Sequence, residues 1–296
     1  MKRTVVTLAA ASVLASGPAG SAQTQPPDAR AQSIYVSVLD GKGNAVTAGL
    51  SAKDFAVKED GVAREVARAE PATEQLDIIL LIDDSQASIG SIPHIREALS
   101  RFLDRVQGKA KIGIVTVGER PTSVVESTTD VAAVKKGISR IFERRGTGAY
   151  LLEGINEVLR GFRARKPSRP TIVVVTIEGP EFSNLQHPRI MRDLLASGVT
   201  LHVLAIGTPV PTDTDELRNR NMVLAEGTEF TGGRREQLLS AMALEDRVRQ
   251  LGGELIHQYL VTYSRPESLI PPEKVQVTVN VPELTARART RLPQKK

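Results

Sequence analysis

Residues 76–90 read LDIILLIDDSQASIG. Asp77 is followed by an unbroken apolar run, Ile78 to Ile82, and then by the acidic, hydroxyl-rich turn Asp83, Asp84, Ser85 and Ser88. A short apolar run of branched residues predicts a strand buried on both faces, and such strands lie in parallel sheets covered by helices on either side. The carboxylates therefore leave the sheet at a strand's carboxyl end, where open α/β sheets bind their ligands. A cluster of oxygen donors in that position is a candidate cation site.

The chain on either side of this strand alternates apolar strands with amphipathic helices. Residues 91–106 place Ile92, Ile95, Leu99, Phe102, Leu103 and Val106 at helical spacing, with Pro93 in the first turn, where it is tolerated. Strands are expected at 111–117 (KIGIVTV), 122–127, 171–177 (TIVVVTI) and 199–206 (VTLHVLAI). Helices are expected at 130–142 behind an Asp130 cap, at 149–162, at 188–197, near 216–225 and at 237–251. This alternation predicts an α/β fold, an open, mostly parallel Rossmann-like sheet with helices on both faces, over residues 71–253.

The two ends follow another pattern. Residues 33–40 (SIYVSVLD), 54–58 and 62–69 read as short strands separated by Gly/Asp turns, as do 258–264, 274–280 and 284–290 after Gly252-Gly253. Neither set is large enough to bury a core alone. Segments 33–70 and 254–292 are therefore expected to pack together as a small β module, with the α/β domain inserted between them and a tail at 293–296.

Composition narrows the function. The net charge of +5 comes from 39 basic and 34 acidic residues that are largely dispersed, so nucleic acid is not an expected partner. Cysteine is absent, which removes thiolate metal sites and thiol nucleophiles. Lys2 and Arg3, the apolar stretch Val5–Ala15 and Gly20-Ser21-Ala22 read as a signal peptide over 1–22, followed by a disordered leader over 23–32. The expected mature protein is exported, to the periplasm or beyond the cell, and contains no membrane span.

The strand ending in Asp83-Asp84-Ser85, the later Gly146-Thr147 before an amphipathic helix, and the strand ending in Glu178-Gly179 resemble the von Willebrand factor type A domain with its metal-ion-dependent adhesion site. The terminal stretches YVSVLDGKGNAVTAGLSAKDFAVKEDG and TGG…QYLVTYS further resemble the secreted, Acidobacteria-type proteins that carry a related domain. The resemblance implies a metal held by Asp83, Ser85, Thr147 and Glu178, with Asp84 and Ser88 as further ligands. Mg²⁺ or Ca²⁺ is the implied ion. The pattern is altered in two places: the third hydroxyl position of the first loop falls on Ala87, and Glu178 stands where the family has Asp. The site is in that sense degenerate.

The residues themselves allow a second reading. Asp83, Asp84, Ser85 and Ser88 have the chemistry of helix caps, Thr147 that of an N-cap for the following helix, and Glu178 that of a loop acid. Glu181, Phe182, Ser183 and Asn184 belong to the same rim and are expected to meet a protein partner, Phe182 as an exposed anchor or as a loop plug. Asp213 and Asp215 add a further acidic loop nearby. Enzyme chemistry finds no support: His94, His187, His202 and His257 form no HExxH, Ser85 has no GxSxG elbow, and no phosphate-binding glycine motif is present. The expected function is a non-enzymatic, protein-binding module acting through the rim, with or without a cation. The alternative is an assembly protein that makes its contacts through the terminal β module and carries a vestigial metal site.

Overall fold

The computed structural model describes residues 29–47, 49–211, 213–267 and 270–293. The expected signal peptide, residues 23–28 of the leader and 294–296 of the tail lie outside the described residues. In chain order the first elements are β1 (Ala29–Leu39), β2 (Phe55–Glu59), β3 (Val62–Arg64), β4 (Val66–Pro71), β5 (Leu76–Ile82), α1 (Ile92–Val106), β6 (Ala110–Thr116), β7 (Thr122–Thr128), α2 (Val131–Ser139) and α3 (Leu151–Arg165). They are followed by β8 (Arg169–Ile177), α4 (His187–Ser197), β9 (Thr200–Ile206), α5 (Asp215–Thr231), β10 (Arg235–Leu238), α6 (Leu244–Ile256), β11 (Tyr259–Pro266), β12 (Val275–Val279) and β13 (Thr285–Arg287).

The central sheet has six strands in the order β10-β9-β8-β5-β6-β7, all pairs parallel except β6 with β7. Every residue of β5 is buried, as its apolar run requires, and its side chains divide by the two-residue period of a strand. Leu76, Ile78, Leu80 and Ile82 join the layer formed with α1, α2 and α6. Ile79 and Leu81 face the opposite layer of α3, α4 and α5. The first site loop thus leaves from the middle of the sheet, with helices on both sides.

The terminal segments build two antiparallel sheets, β13-β1-β11-β4 and β12-β2-β3, around Ile34, Val36, Val38, Phe55, Val57, Tyr259, Val261 and Tyr263. The expected single strand at 62–69 is divided: β3 pairs with β2 in one sheet and β4 with β11 in the other. Glu65 lies at the changeover, beside an irregularity between Thr262 and Tyr263, the usual means by which a strand passes from one sheet to its neighbour.

Three expectations are corrected. Residues 29–32 are not leader but the start of β1, paired with Ser264 to Pro266 and Tyr263 of β11. Their small and polar side chains carry no apolar signal, and backbone pairing alone orders them. The expected helix at 237–251 is displaced: residues 235–238 form β10, an edge strand beside β9, and the helix begins at Leu244. The α2 helix stops at Ser139, short of the expected 142, and Phe142 is 59% exposed beneath the Arg96 guanidinium.

Candidate functional site

Three loops meet at the carboxyl end of the sheet: β5–α1, α2–α3 and β8–α4. Backbone bonds hold them together. The Gln86 N–H donates to the Thr147 carbonyl at 3.2 Å, and the Gln86 side-chain oxygen accepts the Gly146 N–H at 2.7 Å. The Ala149 N–H donates to Pro180 O at 3.1 Å, and the Phe182 N–H to Ala149 O at 2.7 Å. Ala87 touches Gly179 so closely that a Cβ on Gly179 would lie 2.7 Å from the alanine methyl. The loops carrying the expected site residues are therefore adjacent.

Most of their side chains are already engaged. Asp83 is buried at the sheet end, where its Oδ1 accepts the Ser85 N–H (3.0 Å) and its Oδ2 accepts Thr176 Oγ1–H (3.1 Å) and the Ile177 N–H (3.2 Å). Asp84 turns to the other face. Its Oδ1 accepts the Gly118 N–H at 2.6 Å and its Oδ2 pairs with Arg144 Nε at 3.0 Å. Position 118 has no room for a side chain, since a Cβ would come within 2.6 Å of that carboxylate. The Ser88 hydroxyl donates to Ser85 O at 2.7 Å, and the Thr147 hydroxyl to Arg144 O at 2.8 Å. Thr147 is not the helix cap, because α3 starts after Tyr150.

The third-loop acid has the most telling partner. Glu178 Oε2 pairs at 2.7 Å with a guanidinium nitrogen of Arg220, which is 1% exposed. Arg220 rises from α5 on the same inward stripe as Leu217, Val223 and Leu224. An arginine inside an apolar helical stripe is itself a sequence signal, since a buried charge requires a partner. Arg144, Gln86, Gly118 and Thr176 carried no comparable signal.

Glu181 and Ser183 are not on the exposed rim. Glu181 Oε1 accepts the Leu151 N–H at 2.9 Å and Ser183 Oγ accepts the Leu152 N–H at 3.0 Å, so the β8–α4 loop caps the first turn of α3 from outside. Burial pushes the Glu181 carboxyl up to about 7, against the bond from Ser183 and the nearby Arg220 charge. Phe182, 48% exposed, meets Tyr150 edge-on at 6.0 Å, and Asn184 is exposed with its N–H bonded to Glu153.

A divalent cation would need about six oxygens converging at roughly 2–2.6 Å. Among the described residues no group of three or more His, Asp or Glu side chains is arranged to hold a metal. Both oxygens of Asp83 and of Asp84 and the Oε2 of Glu178 already meet N–H, hydroxyl or guanidinium donors, and Ala87 offers a methyl where the resemblance would put a hydroxyl. The residues present do not fit a bound Mg²⁺ or Ca²⁺. The positive charge at the third loop is supplied by Arg220, and that beside Asp84 by Arg144.

The family model of the von Willebrand factor type A domain matches residues 77–231, just over half of the chain. No curated protein matches the chain. Among solved structures, a von Willebrand factor type A protein from Catenulispora acidiphila is similar with a TM-score of 0.52 at 13% identity, covering 91% of this chain and 73% of that one. Proximal thread matrix protein 1 from the mussel byssus has a TM-score of 0.51 at 15% identity, over 67% of this chain and 51% of that one. A further structure of that mussel protein, with zinc in its MIDAS motif, has a TM-score of 0.48 at 15% identity, over 67% and 49%.

Proposed function

This chain belongs to the von Willebrand factor type A domain family, and we propose that it is an exported, non-catalytic protein-binding module whose loop rim works without a bound cation. The observation that carries the reading is the pair of Arg220 and Glu178, buried at the position where the family resemblance would put a metal-bound acid. A guanidinium already neutralises that carboxylate, and Arg144 neutralises Asp84. The loops are thereby held in one arrangement by protein groups alone. Among the residues they leave exposed are Phe182, Asn184, Ile89 and Arg145, with Glu181 buried beside Phe182. Export rests on the signal-peptide pattern of residues 1–22. No described helix is long and apolar enough to cross a membrane.

Calorimetric titration of the purified chain with Mg²⁺, Ca²⁺ and Mn²⁺ is expected to give no site tighter than about millimolar. A tighter site abolished by Asp83→Ala would return the rim to metal chemistry. Photocrosslinkers placed at Phe182 and, separately, at Val62 in the β module locate the contact surface. With EDTA present, adducts are expected from position 182. Adducts from position 62 alone would transfer the function to the terminal strands.

A further inference from the structure

A cleft of about 520 Å³ lies at the seam between the β module and the α/β domain. One wall is a face of α6 that runs from Asp246 to the helix-ending residue His257, and the other is the turn after β1, at Asn44 and Thr47. Arg105 reaches the cleft from α1. The two walls are fixed to each other. Gln250 of α6 donates from Nε2 to Lys42 O at 3.0 Å, and its side-chain oxygen accepts from Arg234 at 2.9 Å. The turn is closed by Asp40, whose Oδ1 accepts the N–H groups of Lys42 and Asn44 at 2.9 and 2.8 Å. None of the described lining residues belongs to the three rim loops.

The charge of this cleft is unbalanced at one residue. Arg249 pairs with Asp246 at 2.7 Å and Arg247 with Glu236 at 3.3 Å, whereas Arg105 has no acid, carbonyl or ring partner among the described residues. Its place is nevertheless defined. A Cβ on Gly252 would lie 3.1 Å from Arg105 Cγ and one on Gly253 would lie 3.4 Å from its Nη2, so the side chain crosses α6 over two consecutive glycines. Glycine in a helix interior lowers helix stability, and here the missing side chains leave the space that the arginine stem and head occupy. His257 converges on the same residue. Its Nδ1 stands 2.8 Å from Gly253 O, and since a carbonyl only accepts, Nδ1 carries a proton. Nε2, on the other edge of the ring, has no partner among the described residues. A guanidinium without an acid and an imidazole nitrogen without a partner thus flank Gly253 in the cleft wall.

We propose that the cleft holds a phosphate group, free or at the end of a small polar molecule, with its oxygens on the Arg105 guanidinium and on His257 Nε2. The fork of an arginine matches two oxygens of a phosphate. His257 then selects among anions. A phosphate monoester gives up its second proton at a pH of about 6, so near neutrality it shares a proton with Nε2, whichever of the two holds it. Sulfate and carboxylate bring no proton to that nitrogen. Arg247 and Arg249 add positive potential across the cleft, and Asn44 and Thr47 offer hydrogen-bonding groups to whatever the phosphate is attached to. This site goes beyond the reading of the rim and does not depend on it.

Amide NMR of the purified chain near neutral pH and at constant ionic strength tests the site with four probes: inorganic phosphate, glycerol 3-phosphate, sulfate and acetate. Phosphate is expected to move the amides of Asn44, Gly253 and His257 and to saturate at about millimolar concentration, with sulfate and acetate at least ~5-fold weaker. Arg105→Met keeps the stem across the glycines and is expected to weaken phosphate ~10-fold or more. Arg160→Met, which removes the same charge from an exposed position on α3, is expected to change it less than ~2-fold. His257→Phe should bring phosphate down to the level of sulfate. Tighter binding of glycerol 3-phosphate than of phosphate supports a site for the ester, and equal binding supports a site for phosphate itself. An equal response to sulfate and acetate, an equal loss in Arg105→Met and Arg160→Met, shifts confined to other surfaces, or no shifts at all would overturn the proposal.

Discussion

Arg220 sets the character of the rim through one contact. Its guanidinium and the Glu178 carboxylate are both withdrawn from water, so removing one leaves the other as an uncompensated buried charge. Arg220→Met is expected to lower stability by about 3–5 kcal/mol in urea unfolding, and Glu178→Met/Arg220→Met to recover most of that loss. Two other buried groups give opposite pH responses. Glu181 is raised from 4.5 to about 7 by burial, so the folded chain holds a proton that the unfolded chain has released, and stability falls as pH rises from 4.5 to 7. His202 is lowered from 6.5 to about 3 by burial and by the charges of Arg287 and Arg234, so its contribution is present above 6.5 and is lost as pH falls towards 3. Between pH 4.5 and 6.5 the two slopes oppose each other. Glu181→Gln removes one of them, and its stability is expected to gain slope relative to the parent, rising with pH by about 1.4 kcal/mol per unit over that window.

At the scale of elements, α3 depends on a loop far from it in sequence. Its N-terminal residue Tyr150 provides no side-chain cap, and the amides of Leu151 and Leu152 are satisfied instead by Glu181 and Ser183. Ser183→Ala is expected to cost about 1 kcal/mol, with faster amide exchange at Leu152 as the local readout. The first loop is fixed in a comparable way by Gly118, whose N–H meets Asp84 at a distance that leaves no space for a methyl group. These dependencies explain which elements were legible in the sequence. The buried strands β5, β8 and β9 announce themselves by composition, and α1 and α3 by period. β10 does not, because a short edge strand with one buried side chain, Leu238, is defined by its parallel pairing with β9 rather than by its residues.

At the scale of the molecule, the β module and the α/β domain are tied by polar groups that neither could satisfy alone. Glu254 of α6 is fully buried, with Arg287 of β13 bonded to both of its oxygens at 2.9 and 3.0 Å and Arg234 at 3.4 Å. Arg169 of β8 donates to Glu74 O, Leu255 O and the Gln258 side chain, and lies over the Tyr35 ring of β1 at 5.0 Å. Arg287→Ala is expected to destabilise the whole chain by about 3–5 kcal/mol, leaving Glu254 buried with only its longer contact to Arg234. Limited proteolysis should then release the β module from a still-folded α/β core, whereas the parent chain should resist.

The sequence by itself determined the sheet, its helical layers and the convergence of three loops at its carboxyl end, because apolar runs and helical periods are local patterns that burial turns directly into strands and helices. That Asp83, Thr147 and Glu178 stand on neighbouring loops was an expectation from the family resemblance. Only the tertiary structure decided what those residues do there. The answer depends on Arg220, Arg144, Gly118 and Thr176, which reach the loops from other elements, and a carboxylate's role is set by the donors that fold against it rather than by its place in a motif.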